Sequence, residues 1–240
     1  MKNIIYFIVL SLFIVSGQAF ASVVIDGTRV IYLEGKPEVS VRMNNDGVEP
    51  KLVQIWIDDG DASVSPEKIS VPFVVLNPIF RMDPQKGQVV RIQFTGNKAL
   101  PSDRESVFWM NVLEIPAKPP AEMEKDNYLQ FRFRTRIKVF FRPKGITGTA
   151  ADAASKLIVR YKPGSVELEN TTAYHISISS LAVGVNGVGG TFESEMISPY
   201  SKKVVVLKGV KESVSSPIIK YKSINDFGGV QETEKTALAF

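Results

Sequence analysis

The chain carries 240 residues, with 29 Lys and Arg against 25 Asp and Glu, one His and no Cys. That basic excess is too mild to mark a nucleic-acid binder, and without cysteine there is no disulfide framework, no soft metal ligand and no thiol nucleophile. A chain of this length can bury cores for two domains of ordinary size.

Residues 1–21 run from Lys2 through an apolar stretch over 4–15 to Ala19-Phe20-Ala21. A charged, then apolar, then small-x-small order fits a cleavable secretory signal peptide, so the mature product is expected to begin near Ser22 and to work outside the cytoplasm. The apolar run is too short to span a bilayer, and nothing after Ala21 approaches the roughly 20 apolar residues a membrane helix needs. Export also argues against a nucleic-acid partner.

The mature chain reads as strands, with no convincing helix. The first series falls at 23–33, 39–43, 52–57, 73–82, 88–94, 106–115 and 128–143, with turn clusters at 44–47 and 58–61. This spacing predicts a β-sandwich, with Trp56 in its core. The last strand, YLQFRFRTRIKVFFRP, puts Leu129, Phe131, Phe133, Ile137 and Val139 on one face and Arg132, Arg134, Arg136 and Lys138 on the other. Like charges two apart on one face repel unless carboxylates or an anionic partner sit opposite. An RNA-binding strand is a poor match, since such strands are glycine-punctuated and no glycine interrupts this one.

After FRPKGITG the composition loosens over 150–154, and a second series follows at 157–161, 166–169, 174–185, 190–195, 203–207, 218–224 and 229–237. The stretch VNGVGG at 185–190 reads as a hairpin turn. A boundary near 143–149 divides the mature chain into domains of residues 22–145 and 146–240. The expected fold class is all-β, with two sandwiches.

No catalytic constellation emerges. The sole histidine, His175, sits in a strand pattern, AYHISISS, that suits a structural side chain. The carboxylates of DDGDAS at 58–63 lack calcium-loop spacing and read as a solvated turn. Gly184, Gly187, Gly189 and Gly190 match no phosphate-binding fingerprint. The expectation is a non-enzyme with no cofactor, no metal and no small-molecule substrate.

What does match a pattern is residues 100–117, LPSDRESVFWMNVLEIPA. This segment resembles the signature of the periplasmic pilus chaperones, the PapD-like family of the chaperone–usher pathway. The resemblance extends to TRVIY at 28–32, LVQIWIDDGD at 52–61, NPIFRMDP at 77–84, IKVFFRP at 137–143 and INDFGG at 224–229. It implies two immunoglobulin-like sandwiches in an L shape with a cleft between them. It also implies a periplasmic protein that binds fimbrial (pilin) subunits and delivers them to an outer-membrane usher.

Three site assignments follow from the resemblance. Leu129, Phe131 and Phe133 would be the donor strand that fills a subunit's open groove, and Arg29 with Lys138 would anchor the subunit's terminal carboxylate. Glu105, Arg142 and Asp226 would form an interdomain ion network. The stretch PAKPPAEMEKDN at 116–127 lacks a cysteine pair and a long hydrophobic alternation, which leans toward the short-loop branch that assembles rod-like pili. Two other classes stay open on the residues alone: a secreted adhesin or carbohydrate-binding module, and, more weakly, an exported hydrolase using Asp/Glu or Ser/Lys chemistry.

Overall fold

The computed structural model describes residues 23–118, 128–184, 194–207 and 217–239. The expected signal peptide, the turn at 185–190 and most of the 116–127 stretch lie outside the described residues. Among the described residues, no helix is long and apolar enough to cross a membrane.

The first sandwich is built from β1 (Val23–Ile25), β2 (Arg29–Leu33), β3 (Val39–Asn45), β4 (Lys51–Asp58), β5 (Phe73–Leu76), β6 (Ile79–Met82), β7 (Gly87–Phe94), β8 (Ser106–Pro116) and β9 (Phe133–Arg142). One sheet has the order β1-β3-β7-β5 and the other β2-β9-β8-β4-β6. Two segments expected as single strands are each split between the sheets. The first breaks at Gly27, whose φ of 103° suits only glycine well, and the second at Asn77-Pro78, where Asn77 has φ 57°. Proline then removes a ladder donor, so pairing cannot run through.

Inward alternation supplies the core. Met43, Val53, Ile92, Met110 and Val139 are fully buried between the sheets, and an aromatic cluster closes one end, with Phe94 and Phe141 centroids 4.5 Å apart and Phe73 and Phe108 4.9 Å apart. Trp56 is not part of this core. Val53, Ile55 and Ile57 take the inward positions of β4, so Trp56 is half-buried on the outer face beside Leu113 and Arg134.

The 58–63 turn also departs from the solvated reading. Asp58 is buried and accepts from Arg136 Nη2 at 2.6 Å, Asn111 Nδ2 at 2.6 Å and the Gly60 amide at 2.8 Å. This pair supplies the carboxylate that one member of the arginine face required.

The second sandwich contains β10 (Ile158–Lys162), β11 (Ser165–Asn170), β12 (Ile176–Gly184), β13 (Glu195–Ile197), β14 (Ser201–Val206), β15 (Ile218–Ile224), β16 (Val230–Thr236) and β17 (Leu238–Ala239). Its sheets run β14-β11-β10-β17 and β13-β12-β15-β16 around Leu157, Leu168, Ile178, Leu181, Ile197 and Ile219. No described strand of one sandwich pairs with a strand of the other. A short helix not expected from the pattern, α1 (Ala150–Ala153), opens this domain. It forms because the Thr149 side chain accepts from the Asp152 amide at 3.2 Å, an N-cap that closes the first turn.

Candidate functional site

The site grows out of β9. On its inward face Ile137, Val139 and Phe141 are 8%, 0% and 3% exposed, whereas Leu129, Phe131 and Phe133, in the same two-residue phase, are 77%, 62% and 63% exposed. One amphipathic pattern thus serves two surroundings. Its C-terminal half fills the chain's own core, and its N-terminal half offers large apolar side chains to water, with the Phe131 and Phe133 rings 6.4 Å apart. The expected strand over 128–143 is shorter than the pattern suggested. Pairing with β8 runs from Ser106↔Phe141 to Glu114↔Phe133, and Leu129 and Phe131 lie ahead of it.

On its other edge β9 pairs in parallel with β2, from Arg29↔Lys138 to Leu33↔Arg142. Between Phe133 and Ile137, therefore, β9 has β8 on one side and no described strand on the other. Arg29 and Lys138 stand where that open edge begins. Arg29 Nη1 donates to the Ile224 carbonyl at 2.9 Å, and its guanidinium packs 5.7 Å from the Phe140 ring centroid. Burial lowers the Arg29 pKa, with Asp226 and Glu105 opposing that shift. Burial likewise lowers the pKa of Lys138, the charge of Arg29 lowers it further, and Glu195 opposes. Among the described residues neither cation forms a salt bridge, so two desolvated positive charges share one place at the domain junction.

Glu105, Arg142 and Asp226 are brought together beside it. Arg142 Nε donates to Glu105 Oε1 at 2.7 Å, and its two terminal nitrogens form a fork with Asp226 at 2.8 and 3.0 Å. Burial pulls the Arg142 pKa down, but the bonds to Asp226 and Glu105 outweigh it and the net shift is upward. The turn that presents Asp226 is fixed by Asn225 Oδ1, which accepts from the amides of Phe227 at 3.0 Å and Gly229 at 2.9 Å.

Two residues that the sequence did not single out for this junction belong to it. His175, with its side chain 4% exposed, donates its amide to Glu105 Oε2 at 2.8 Å and packs its ring 5.4 Å from Phe140. Ser177 lies two residues along, where its Oγ is 3.4 Å from Lys138 Nζ. Their strand period would have placed them on one side of β12, but nothing in a single strand says that this side meets another domain.

Comparison with known proteins settles the family. Residues 22–147 match the description "Pili and flagellar-assembly chaperone, PapD N-terminal domain", and residues 152–235 match "Pili assembly chaperone PapD, C-terminal domain". The chain belongs to the PapD-like fimbrial chaperones. Its chaperone relatives include FimB/FhaD of Bordetella pertussis, 47% identical over 88% of this chain and 86% of that protein, and the probable fimbrial chaperone YadV of Escherichia coli, 41% identical over 90% of each. The crystal structure of YadV superposes with a TM-score of 0.78 at 37% identity, covering 90% of this chain and all of that one. A second fimbrial chaperone, SafB of Salmonella enterica, solved in complex with the SafA pilin, gives a TM-score of 0.74 at 27% identity, covering 92% of this chain and 98% of that one. The family consists of assembly chaperones, not enzymes.

Proposed function

We propose that this chaperone, freed from a signal peptide of residues 1–21, acts in the periplasm through domains of residues 22–145 and 146–240. It holds fimbrial subunits by donor-strand complementation and passes them to an outer-membrane usher. Strand addition to an open sheet edge is an established mode of peptide recognition, and chaperone–pilin pairs are among its examples. The observation that carries the reading is the division of the stretch 129–141, with Ile137, Val139 and Phe141 of β9 buried and, in the same phase, Phe133 at its start and Phe131 and Leu129 ahead of it exposed. Each large apolar side chain taken into a subunit groove contributes roughly 1.5–3 kcal/mol.

The polarity of the added strand follows from the charges. A subunit strand lying along 133–137, in line with β2 and parallel to β9, arrives with its C-terminus at Arg29 and Lys138. An antiparallel strand would carry its terminal carboxylate to the far end and leave the two cations without an anion in a poorly solvated place. The carboxylate anchor therefore selects orientation and register together, and register matters because a one-residue slip turns the apolar face away from the groove. The clustered Glu105, Arg142 and Asp226 support a structural part in this reading, as the network that holds the second domain beside the anchor.

Phe131→Ser with Phe133→Ser tests the mechanism. The double variant should retain the wild-type circular dichroism spectrum and fail to recover co-expressed fimbrial subunits from periplasm, which should then aggregate or be degraded. A folded double variant that recovers subunits in full would refute donor-strand capture.

A further inference from the structure

The anchor cations do not sit within one domain's surroundings. Lys138 Nζ lies 3.4 Å from Ser177 Oγ on β12, and Arg29 Nη1 reaches the Ile224 carbonyl at the end of β15. An ammonium group only donates, so Ser177 Oγ is the acceptor in the first contact and its own hydroxyl proton is left over. Ser177 is 3% exposed. Among the described residues its hydroxyl donates to no acceptor, and Arg29 Nε is a second buried donor without a partner. The carboxylate that influences Lys138 from the second domain, Glu195, is itself paired with Lys203 at 3.4 Å.

Buried donors are ordinarily satisfied, and a cluster of them without an acceptor calls for one. A carboxylate suits this cluster, since it only accepts and its two oxygens offer about four lone-pair sites. We propose that the Ser177 hydroxyl is a third donor to the bound carboxylate, so that the anchor is assembled from both domains. The proposal rests on the reading of Arg29 and Lys138 as a carboxylate site. A carboxylate held by Arg29 and Lys138 on one side and Ser177 on the other bridges β9 to β12. Anchoring then depends on how the two sandwiches are set against each other, a dependence that two cations on adjacent strands of one sheet would not create.

The test uses the full chain and a synthetic peptide with apolar residues at every second position, prepared with a free C-terminal carboxylate and as the C-terminal amide. Ser177→Ala should bind the acid about tenfold more weakly than wild type, the loss of one hydrogen bond to a charged group, and should bind the amide as wild type does. Equal weakening toward acid and amide would assign Ser177 a merely structural role and overturn the proposal. Undiminished binding of the acid by Ser177→Ala, with wild type still preferring acid over amide, would overturn it while leaving the anchor of Arg29 and Lys138 standing. If wild type does not distinguish acid from amide, the anchor reading falls and Ser177 falls with it.

Discussion

Arg29 and Lys138 are direct Cα partners on the parallel strands β2 and β9, and each has been taken partly out of water without forming a salt bridge among the described residues. Two cations facing each other across adjacent strands destabilise a sheet. Such an arrangement persists when a function requires it, and it makes the free chaperone less stable than a neutral version of itself. Lys138→Met should therefore melt at or above wild type at pH 7 while losing subunit capture. A gain of about 1 kcal/mol would appear as roughly 2–4 °C in a chain of this size. A variant that melts well below wild type would show that Lys138 contributes to the fold.

The same burial sets a pH dependence. In the free protein Lys138 titrates below the ordinary lysine value of 10.5, because burial and then Arg29 disfavour its charge. The unfolded chain binds that proton more tightly, so the destabilising contribution is fully present at neutral pH and is relieved as pH rises through the folded value toward 10.5. Carboxylate binding has the opposite requirement, since it needs the ammonium. Capture should hold at neutral pH and decline on the alkaline side before 10.5 is reached. Lys138→Arg, whose charge persists to higher pH, should remove that decline if it binds at all. Binding curves from pH 7 upward for the two proteins make the comparison.

Arg142 occupies the opposite electrostatic situation. It is held by two carboxylates, one of them, Glu105, almost wholly buried. Removing one side of a buried ion network leaves an uncompensated charge, at a cost of about 3–5 kcal/mol when burial is complete. Arg142→Ala should lower the melting temperature and periplasmic yield clearly. Arg134→Ala, on an exposed side chain that among the described residues donates to the Ala62 carbonyl alone, should stay within about 0.5 kcal/mol of wild type. Coincident thermal unfolding curves for the two variants would remove the network from the list of what holds the domains together.

The sheet architecture was legible because period-two alternation is a local property, and most strands fall within a residue or two of where the pattern puts them. What the pattern could not give was sheet membership. Segments 23–33 and 73–82 are each continuous in hydrophobicity, and only the backbone at Gly27 and Asn77 decides that each changes sheets. Trp56 was misread because composition says that tryptophan prefers the interior, whereas the phase of β4 assigns the interior to its neighbours. Asp58 was misread for the converse reason, since its partner Arg136 lies 78 positions away. The residues of the proposed site were named through motif resemblance. Ser177 and His175 were not, because their surroundings exist only once the second sandwich meets the first.

The change from buried to exposed apolar side chains along one face of β9 yields the sharpest contrast. Phe133 and Ile137 point to the same face, four residues apart, yet one is exposed and the other lies in the first domain's core. Ile137→Ala should leave a cavity among packed neighbours and cost about 2–4 kcal/mol, because the sheets cannot fully close around the missing atoms. Phe133→Ala removes side-chain contacts mainly with water and Phe131, so its stability should change by no more than about 0.5 kcal/mol. For capture the order reverses. Phe133→Ala forfeits apolar burial worth roughly 1.5–3 kcal/mol in the complex, about tenfold or more in affinity, whereas Ile137→Ala should bind with nearly wild-type affinity at temperatures where it is folded. Melting curves and subunit titrations on the two variants place the boundary. Should Phe133→Ala prove as destabilising as Ile137→Ala, the chain's own core extends past residue 133 and the donor segment is shorter than the exposed face implies.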